Sequence, residues 1–358
     1  MNTSIIYHTD ESDVIDDLLS SNTNERDLID RLLGCAYGQA LGDAYGLATE
    51  FQKRSDVATT YPDGTQLIPF PNYVQSQHSS RWSPGDWTDD TDQWLLLMET
   101  LSDSDGDVKI FARKLNMWIR HGFPELNDFG GLGLGVNVAK AVQTEGFFEN
   151  PLDASRTAWE STDRQAAPNG AVMRCSASAF VHYNEIDKMK STAIQMCKVT
   201  HFDPRCVASC IAVCLAVAYV LQSPNDDLEL LIDRVQKETL ATVGDTLLPV
   251  YQEEFLWYTS KGRSLDDLCF DDEKAIGYTF KCLAAGFYGL RSTRSFQETL
   301  NDLIRQGGDA DTNGAVCGTM YGARYGYKSL PSEWLKAMPY KKWFDNKIIT
   351  YLKRQNLP

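Results

Sequence analysis

Glycine at every fourth position in two distant segments is the feature that most limits how this chain can fold. The two series are Gly34, Gly38, Gly42 and Gly46, then Gly314, Gly318, Gly322 and Gly326. Residues four apart lie on one face of an α-helix, where each glycine costs roughly 1 kcal/mol relative to alanine. A glycine face offsets this cost when it lets another part of the fold approach the helix backbone closely. The spacing therefore predicts two central helices whose glycine faces are buried.

From Asp27 onward, most of the chain has the apolar periodicity of α-helices. Its apolar segments are mostly ten residues or longer, are separated by Asp, Gly, Pro or Ser, and leave few strand signals. The pattern predicts an all-α, single compact multi-helix domain with long functional loops at about 52–87 and 121–135. The principal periodic segments are 92–101, 108–120, 205–222, 226–241, 274–290 and 296–306.

The first 26 residues differ from the rest of the chain. They are polar and acidic around a short apolar stripe that includes Ile15 and Leu19, which is typical of one loosely docked helix or of a disordered leader. We therefore divide the chain into an acidic N-terminal extension, residues 1–26, and one folded domain, residues 27–358.

The charge of the chain limits its partners. Its 358 residues include 49 acidic and 34 basic side chains, a formal net charge of −15, and 43% of them are hydrophobic. Such a charge repels nucleic acid and anionic membrane surfaces, while the apolar content can supply a substantial core. No apolar run is long and uninterrupted enough for a membrane span, and no signal peptide opens the chain. We expect a soluble, cytoplasmic protein without nucleic-acid or membrane partners.

The cysteines and histidines argue against thiolate or imidazole metal chemistry. Nine cysteines form no CxxC pair, and the series Cys206, Cys210 and Cys214 has the spacing of one buried helix face. An odd number of unpaired cysteines fits a reducing compartment. Five histidines without an HExxH motif make a histidine zinc site improbable, and neither GxSxG nor a Walker A motif is present.

Two knots of acidic and hydroxyl side chains stand just before apolar runs. They are Thr88-Asp89-Asp90-Thr91-Asp92 and Gly307-Gly308-Asp309-Ala310-Asp311-Thr312-Asn313-Gly314. Oxygen donors of this kind suit a hard cation such as Mg²⁺, but the first knot can equally be a helix cap with acids in the first turn. The second knot opens like a calcium loop, although Met320 stands where an EF-hand needs a glutamate.

Other polar positions could contribute to a cleft. Asp43 is expected to be a buried packing acid or an acid behind the site, and Glu50, at the end of the first glycine helix, to be either a cleft carboxylate or a surface acid. Asp128 lies at the start of a glycine-rich loop, 127–135, whose backbone amides could approach a phosphate group. Asn169-Gly170 reads as a turn into a helix, and His201 precedes a helix start with Asp203 as its cap.

Five motifs follow one another between about residues 28 and 328. They are Gly42-Asp43-Ala44-Tyr45-Gly46 with Glu50, Trp87-Thr88-Asp89-Asp90-Thr91, Asn169-Gly170-Ala171-Val172-Met173-Arg174, Thr200-His201 and Gly307-Gly308-Asp309-Ala310-Asp311-Thr312-Asn313-Gly314-Ala315. Together they resemble the motifs of the ADP-ribosylglycohydrolase family, which includes the ADP-ribosylarginine hydrolases and the dinitrogenase reductase-activating glycohydrolases. The resemblance covers most of the chain and makes residues 27–358 an ADP-ribosylglycohydrolase-like catalytic domain.

The resemblance implies an all-α fold around two Mg²⁺ ions, with Mn²⁺ as an alternative. The metal ligands it implies are Thr88, Asp89, Asp90, Asp309, Asp311 and Thr312. It places carboxylates near the scissile ribose at Glu50 and Asp128, although Asp-Phe-Gly-Gly at Asp128 replaces the Asp-Ile-Gly of the bacterial enzymes. We expect Asp128 to be the acid/base for an arginine leaving group and Glu50 to be a carboxylate beside the metals or a gating carboxylate. The residues it implies for the ADP-ribose pocket are Gly130, Gly131, Asn169, Gly170, Met173 and His201.

The resemblance also implies a reaction and a partner. We expect a Mg²⁺-dependent hydrolase that cleaves ADP-ribose from an arginine side chain of a modified protein, acting as a monomer. The alternatives are cleavage of serine-linked ADP-ribose, poly(ADP-ribose) or O-acetyl-ADP-ribose, the last being an ADP-ribose-containing small molecule. A non-catalytic relative that binds ADP-ribose or has a structural role is a further alternative.

Overall fold

The computed structural model describes residues 25–355 together with Ile15, Leu18 and Leu19. Within the described residues there are seventeen α-helices and no β-strand, only one isolated bridge between Pro168 and Tyr278. The predicted all-α, single compact domain is confirmed. Most of the predicted N-terminal extension lies outside the described residues, so its role stays a prediction, although Ile15 and Leu19 are buried.

The helices are numbered here in chain order. The first nine are α1 (Glu25–Gly46), α2 (Arg54–Thr60), α3 (Asp89–Ser104), α4 (Val108–His121), α5 (Val136–Gln143), α6 (Pro151–Glu160), α7 (Val172–His182), α8 (Ile186–Lys198) and α9 (Pro204–Gln222). The others are α10 (Leu228–Val243), α11 (Pro249–Thr259), α12 (Leu265–Leu268), α13 (Thr279–Arg291), α14 (Phe296–Ile304), α15 (Ala310–Tyr325), α16 (Ser332–Ala337) and α17 (Lys341–Arg354). Four 3₁₀ turns lie at Ser79–Arg81, Pro124–Leu126, Gly244–Thr246 and Tyr327–Ser329.

Helices α1 and α15 form the antiparallel centre of the molecule and make the most extensive contact between any two elements. A Cβ atom on Gly38 would overlap the carbonyl oxygen of Gly318, and one on Gly42 would overlap that of Gly314. The backbones therefore meet directly along the predicted glycine faces. One detail of the prediction is wrong, because Gly326 lies just after α15 with φ +82° and ends the helix.

The periodic segments correspond to helices with small shifts at their ends. The main correction concerns 274–290, since α13 begins only at Thr279. The preceding residues form a turn in which the Gly277 carbonyl oxygen accepts a hydrogen bond from Asn169 N at 2.9 Å. The predicted loops are confirmed as mainly irregular, with α2 and two 3₁₀ turns as their regular parts.

Helix α9 is buried inside the helical bundle. Cys206, Cys210 and Cys214 are each 0% exposed on it, as their spacing predicts, and all nine cysteines are free. Among the described residues α9 alone is long and apolar enough to cross a membrane, and 94% of that stretch is buried in the protein. A core helix meets the same criterion, so we attribute its composition to packing.

Candidate active site

The first acidic knot caps helix α3 and also faces the centre of the molecule. Thr88 adopts an extended conformation, and its hydroxyl oxygen accepts a hydrogen bond from Asp90 N at 3.4 Å. The same hydroxyl lies 3.2 Å from Asp90 Oδ2 and 3.4 Å from Asp311 Oδ2. Capping and an oxygen cluster are therefore compatible, because one short segment supplies both. Asp92 turns away and accepts hydrogen bonds from the indoles of Trp87 and Trp118.

The second knot starts helix α15 at the end that adjoins the first knot. Gly307 and Gly308 have φ values of +67° and +72°, a conformation that favours glycine. Their turn pairs with the segment after Glu50, since Phe51 N donates to Gly308 O at 2.6 Å and Gly308 N donates to Gln52 O at 2.9 Å. This pairing brings Glu50 from the end of the first glycine segment to the entry of the second glycine helix.

Two groups of carboxylates converge where the helices meet. Asp43, Asp90 and Asp311 form one group, and Glu50, Asp309 and Asp311 form the other. Within each group one oxygen per side chain lies within 4.8 Å of the others, and all of these side chains are buried. Of the six predicted ligands, the structure thus groups Asp90, Asp309 and Asp311, while Thr88, Asp89 and Thr312 border them. Asp311 belongs to both groups.

Asp43 holds the first knot in place from within helix α1. Its carboxylate accepts hydrogen bonds from Thr88 N and Thr91 N, both at 3.0 Å, and from the Thr91 hydroxyl at 2.6 Å. Burial raises the pKa of Asp43 to about 7, against the lowering effect of these donors. The expected role of Asp43 as an acid behind the site agrees with these contacts.

Burial and mutual repulsion make the cluster costly to ionise in the absence of a cation. Burial raises the pKa of Asp89, Asp90 and Asp311 well above the usual range. The next cause is the charge of a neighbouring carboxylate, Asp43 for Asp89 and Asp90, and Glu50 for Asp311. Groups with such shifts, gathered in a cleft, are typical of functional sites.

A hydrogen-bonded chain connects the acidic cluster to the far wall of the cleft. Asp89 Oδ2 accepts a hydrogen bond from Gln93 Nε2 at 2.7 Å, and the side-chain oxygen Oε1 of Gln93 accepts one from Arg174. Arg174 also donates to the Thr200 hydroxyl at 2.6 Å, which lies 2.7 Å from His201 Nδ1. The buried Arg174 guanidinium thereby fixes residues of α3, α7 and the α8–α9 turn together.

A cavity of about 690 Å³ opens beside the acidic cluster. That volume suits a nucleotide-sized ligand. The site residues predicted from sequence that line it are Glu50, Asp89, Asp90, Asn169, Gly170, Met173, His201, Asp309, Asp311 and Thr312. Asn169 Nδ2 also donates to Asp309 Oδ2 at 2.8 Å, so the pocket wall and the cluster are directly linked.

The glycine-rich loop takes part in the site through different glycines from those predicted. Gly133 and Gly135 line the cavity, whereas Gly130 and Gly131 are not among its lining residues. Gly133 has φ +91°, and a Cβ atom there would press on Asp89 Oδ1. The loop therefore closes over the first knot, and glycine is needed where it does.

Asp128 lies outside the cavity lining. Its Oδ2 accepts from Phe123 N at 3.4 Å, and burial raises its pKa. Its charge, after burial, contributes to raising the pKa of Asp86 to about 8. A catalytic role for Asp128 stays a prediction.

Three residues of this site were missed from the sequence. His78 hydrogen-bonds with Glu50, Arg174 organises the chain described above, and Gly277 allows Asn169 and Asp309 to approach the α13 turn. Arg174 stood at the end of a quoted motif, but His78 and Gly277 carry no local signal because their roles depend on contacts between distant segments.

Comparisons with known proteins identify the family of this chain. The sequence profile of the ADP-ribosylglycohydrolase family matches residues 24–356. The ADP-ribosylarginine hydrolase Tri1 of Serratia proteamaculans is 24% identical over 90% of this chain and 79% of its own length. The ADP-ribosyl-[dinitrogen reductase] glycohydrolase of Rhodospirillum rubrum is 24% identical over 91% of this chain and 94% of its own.

A solved structure shares the fold. The chain named ADP-ribosylglycohydrolase-related protein complex superposes with a TM-score of 0.65 at 24% identity, covering 92% of this chain and 99% of the other. The helical architecture and the profile that spans almost the whole chain lead to one conclusion: this protein is a glycohydrolase that belongs to the ADP-ribosylglycohydrolase family.

Proposed function

We propose that this enzyme cleaves the bond between the anomeric carbon of ADP-ribose and an arginine side chain, with two Mg²⁺ ions held by the acidic cluster. The observation that carries the proposal is the convergence of Asp43, Glu50, Asp90, Asp309 and Asp311 beside a nucleotide-sized cavity. In the part of the chain that the structure describes, no lysine or arginine forms an ion pair with them. Mn²⁺ is the alternative ion.

The donor atoms fit a hard divalent cation. Asp90 Oδ1 and Asp311 Oδ1 are buried without a hydrogen-bond partner, an arrangement that is costly unless something else satisfies those oxygens. Carboxylate and hydroxyl oxygens are the ligands that Mg²⁺ and Mn²⁺ prefer, and no thiol or imidazole belongs to either group. Bound there, the ions would orient the ribose hydroxyls and a water molecule and would offset negative charge.

The protein's own residues position the substrate and move the proton. The cavity wall with Asn169, Gly170 and His201 holds ADP-ribose and keeps its ribose against the acidic cluster. Glu50, at the cavity and only 6% exposed, accepts a proton from the water that attacks the anomeric carbon. The bond to nitrogen breaks as the carbon–oxygen bond forms. The departing guanidine takes up the proton that Glu50 received, so it leaves as guanidinium and Glu50 is again a carboxylate.

The charge around the site favours a cationic leaving group. Acidic side chains line one end of the cavity, and the chain carries a net charge of −15. A released guanidinium is stabilised in such a field, whereas a polyanionic polymer is repelled by it. The relatives named ADP-ribosylarginine hydrolase support the same choice. The nine free cysteines favour a reducing, intracellular location for this reaction.

A pair of matched peptides tests the linkage. Peptides of one sequence that carry ADP-ribose on arginine or on serine are incubated with the enzyme and Mg²⁺, and released ADP-ribose is measured. We expect the arginine-linked peptide to be cleaved at least about tenfold faster, with release abolished by a chelator. Cleavage of the serine-linked peptide alone would instead support that alternative. Binding of ADP-ribose without release from either peptide would favour a non-catalytic role.

Metal binding is expected to stabilise the protein more at higher pH. The folded pKa values of Asp89, Asp90 and Asp311 are raised, so above about pH 4 the folded chain retains protons that the unfolded chain releases. The metal-free protein therefore loses stability as pH rises through the raised pKa values. Mg²⁺ replaces these protons, so the rise in Tm that Mg²⁺ produces should be larger at about pH 8 than at about pH 5.5. Thermal unfolding with and without Mg²⁺ measures both increments, and equal increments would contradict the prediction.

A further inference from the structure

We propose that His78 is a positioning residue that holds the Glu50 carboxylate at the acidic cluster. The inference rests on the catalytic role proposed above for Glu50. It concerns a loop residue between α2 and α3 that no motif singled out, and it assigns a function to the 3₁₀ turn at Ser79–Arg81.

The contact between His78 and Glu50 is short and protected. Nε2 of His78 lies 2.7 Å from Oε2 of Glu50, whose side chain is 6% exposed, while the His78 side chain is 23% exposed. Glu50 also faces the acidic cluster. One of its carboxylate oxygens lies within 4.8 Å of oxygens of Asp309 and Asp311. Glu50 is thus held between a hydrogen-bond donor on one side and two acids on the other.

Arg81 packs against the imidazole of His78. Its Nη2 lies 2.7 Å from His78 Nδ1 and 3.2 Å from Nε2, and its Nε donates to His78 O at 3.2 Å. Because one atom contacts both ring nitrogens, the guanidinium lies against the ring and not on the lone pair of either nitrogen. The nitrogen that meets the Glu50 carboxylate is Nε2, which donates to it when it carries a proton.

Aromatic neighbours keep the imidazole in this place. The Phe51 ring meets it edge-on at 4.8 Å between centroids, and the Trp82 ring lies at 5.3 Å. The Arg81 guanidinium in turn lies 4.5 Å from the Trp82 ring centroid, within cation–π range. Because aromatic rings surround the imidazole, a phenylalanine side chain can take its place without opening a void. The His78→Phe variant therefore tests the loss of the hydrogen-bond donor alone.

Glu50 needs such a hold because its side chain has room to leave the cluster. A second cavity of about 490 Å³, lined by Gln52, Ser76 and Gln77, adjoins Glu50 and gives the side chain room to turn. The donor from His78 opposes that movement, and a small misplacement of a catalytic group lowers turnover strongly.

Two substitutions at His78 separate hydrogen bonding from packing. In His78→Phe the ring contacts remain but the donor is lost, and we expect kcat to fall by about 10- to 100-fold with little change in KM for the ADP-ribosylated peptide. In His78→Gln the side-chain amide can donate from the position of Nε2, and most of kcat should return. Equal losses in both variants, or unchanged kcat in His78→Phe, would overturn the proposal.

A double-mutant cycle tests whether His78 acts through Glu50. With Glu50→Gln as the second change, adding His78→Phe should cause no further loss of kcat, because the carboxylate that His78 positions is already gone. Independent, multiplicative losses would show that His78 acts elsewhere and would refute the proposal. Full activity of Glu50→Gln alone would instead refute the role of Glu50 in the proposed function.

The protonation of Nε2 can be measured without turnover. Imidazole ¹⁵N shifts of the full chain, with His78 assigned by its absence in His78→Gln, should show a protonated Nε2, as donation to Glu50 requires. An unprotonated Nε2 in the unaltered chain would overturn the proposal even if the enzyme cleaved none of the peptides.

Discussion

Replacement of Asp311 by asparagine is expected to lower kcat by about a thousandfold or more while the fold persists. Asp311 is the carboxylate shared by both groups, and asparagine has its shape without its charge. Loss of the shared ligand removes cation binding that supplies several kcal/mol to the transition state, and each 1.4 kcal/mol corresponds to about tenfold in rate. Turnover of the arginine-linked peptide at saturating Mg²⁺ measures the effect.

The same substitution has an opposite expected effect on the metal-free protein. Burial, and after it the charges of neighbouring carboxylates, raise the pKa of Asp311, so its neutral replacement should raise Tm in the presence of a chelator. The gain of Tm on addition of Mg²⁺ should shrink. Asp245→Asn removes an equal charge from an exposed turn and serves as the control. It should leave kcat, the Tm in chelator and the Tm increase with Mg²⁺ unchanged. Turnover of Asp311→Asn near that of the control would refute the metal assignment.

Replacement of Gly42 by alanine is expected to destabilise the protein by roughly 3 kcal/mol or more, at the upper end of the cost of overpacking. The added methyl group would overlap the carbonyl group of Gly314, and a backbone carbonyl cannot move aside as a flexible side chain can. Helices α1 and α15 would have to separate along their length. The midpoint of denaturant unfolding measures the loss, which is large against a typical stability of about 5–15 kcal/mol.

A matched glycine provides the control for this experiment. Gly64 has no heavy atom within 4 Å of an added Cβ and no positive φ, so Gly64→Ala should leave the unfolding midpoint unchanged or slightly raised. Because the two acidic knots belong to the separated elements, any folded Gly42→Ala protein should also show a reduced Tm increase with Mg²⁺. An unfolding midpoint equal to that of the unaltered chain would show that the helices are not as closely packed as described.

Much of the fold could be predicted from local patterns. Thr88, Asp203 and the glycine spacing specify helix starts and a close-packed face through interactions within a few residues. The turn before α13 could not be found in this way. Its segment is apolar enough to continue the helix, but Gly277 is fixed by a hydrogen bond from Asn169, about a hundred residues earlier in the chain.

The candidate site was predictable to a different degree for each kind of residue. Asp90, Asp309 and Asp311 were identified because hard-cation ligands are recognisable by chemistry and stand at helix entries. Asp128 and Gly130 were placed by motif alone, and the structure puts neither at the cavity wall, where Gly133 lies instead. A shift of a few residues along a loop changes which part of its backbone faces the cleft, and the order of the residues alone does not specify that orientation.

The sequence by itself determined that this chain forms helices, that two of them carry bare glycine faces, and that oxygen ligands precede two apolar runs. Those properties depend on near neighbours and on side-chain chemistry. Only the tertiary structure decided that Asp43, Asp90 and Asp311 share one buried space, and that His78 holds Glu50 at its edge. Burial and mutual repulsion arise between segments far apart in the chain, so the electrostatics of the site exist only once the helices have packed.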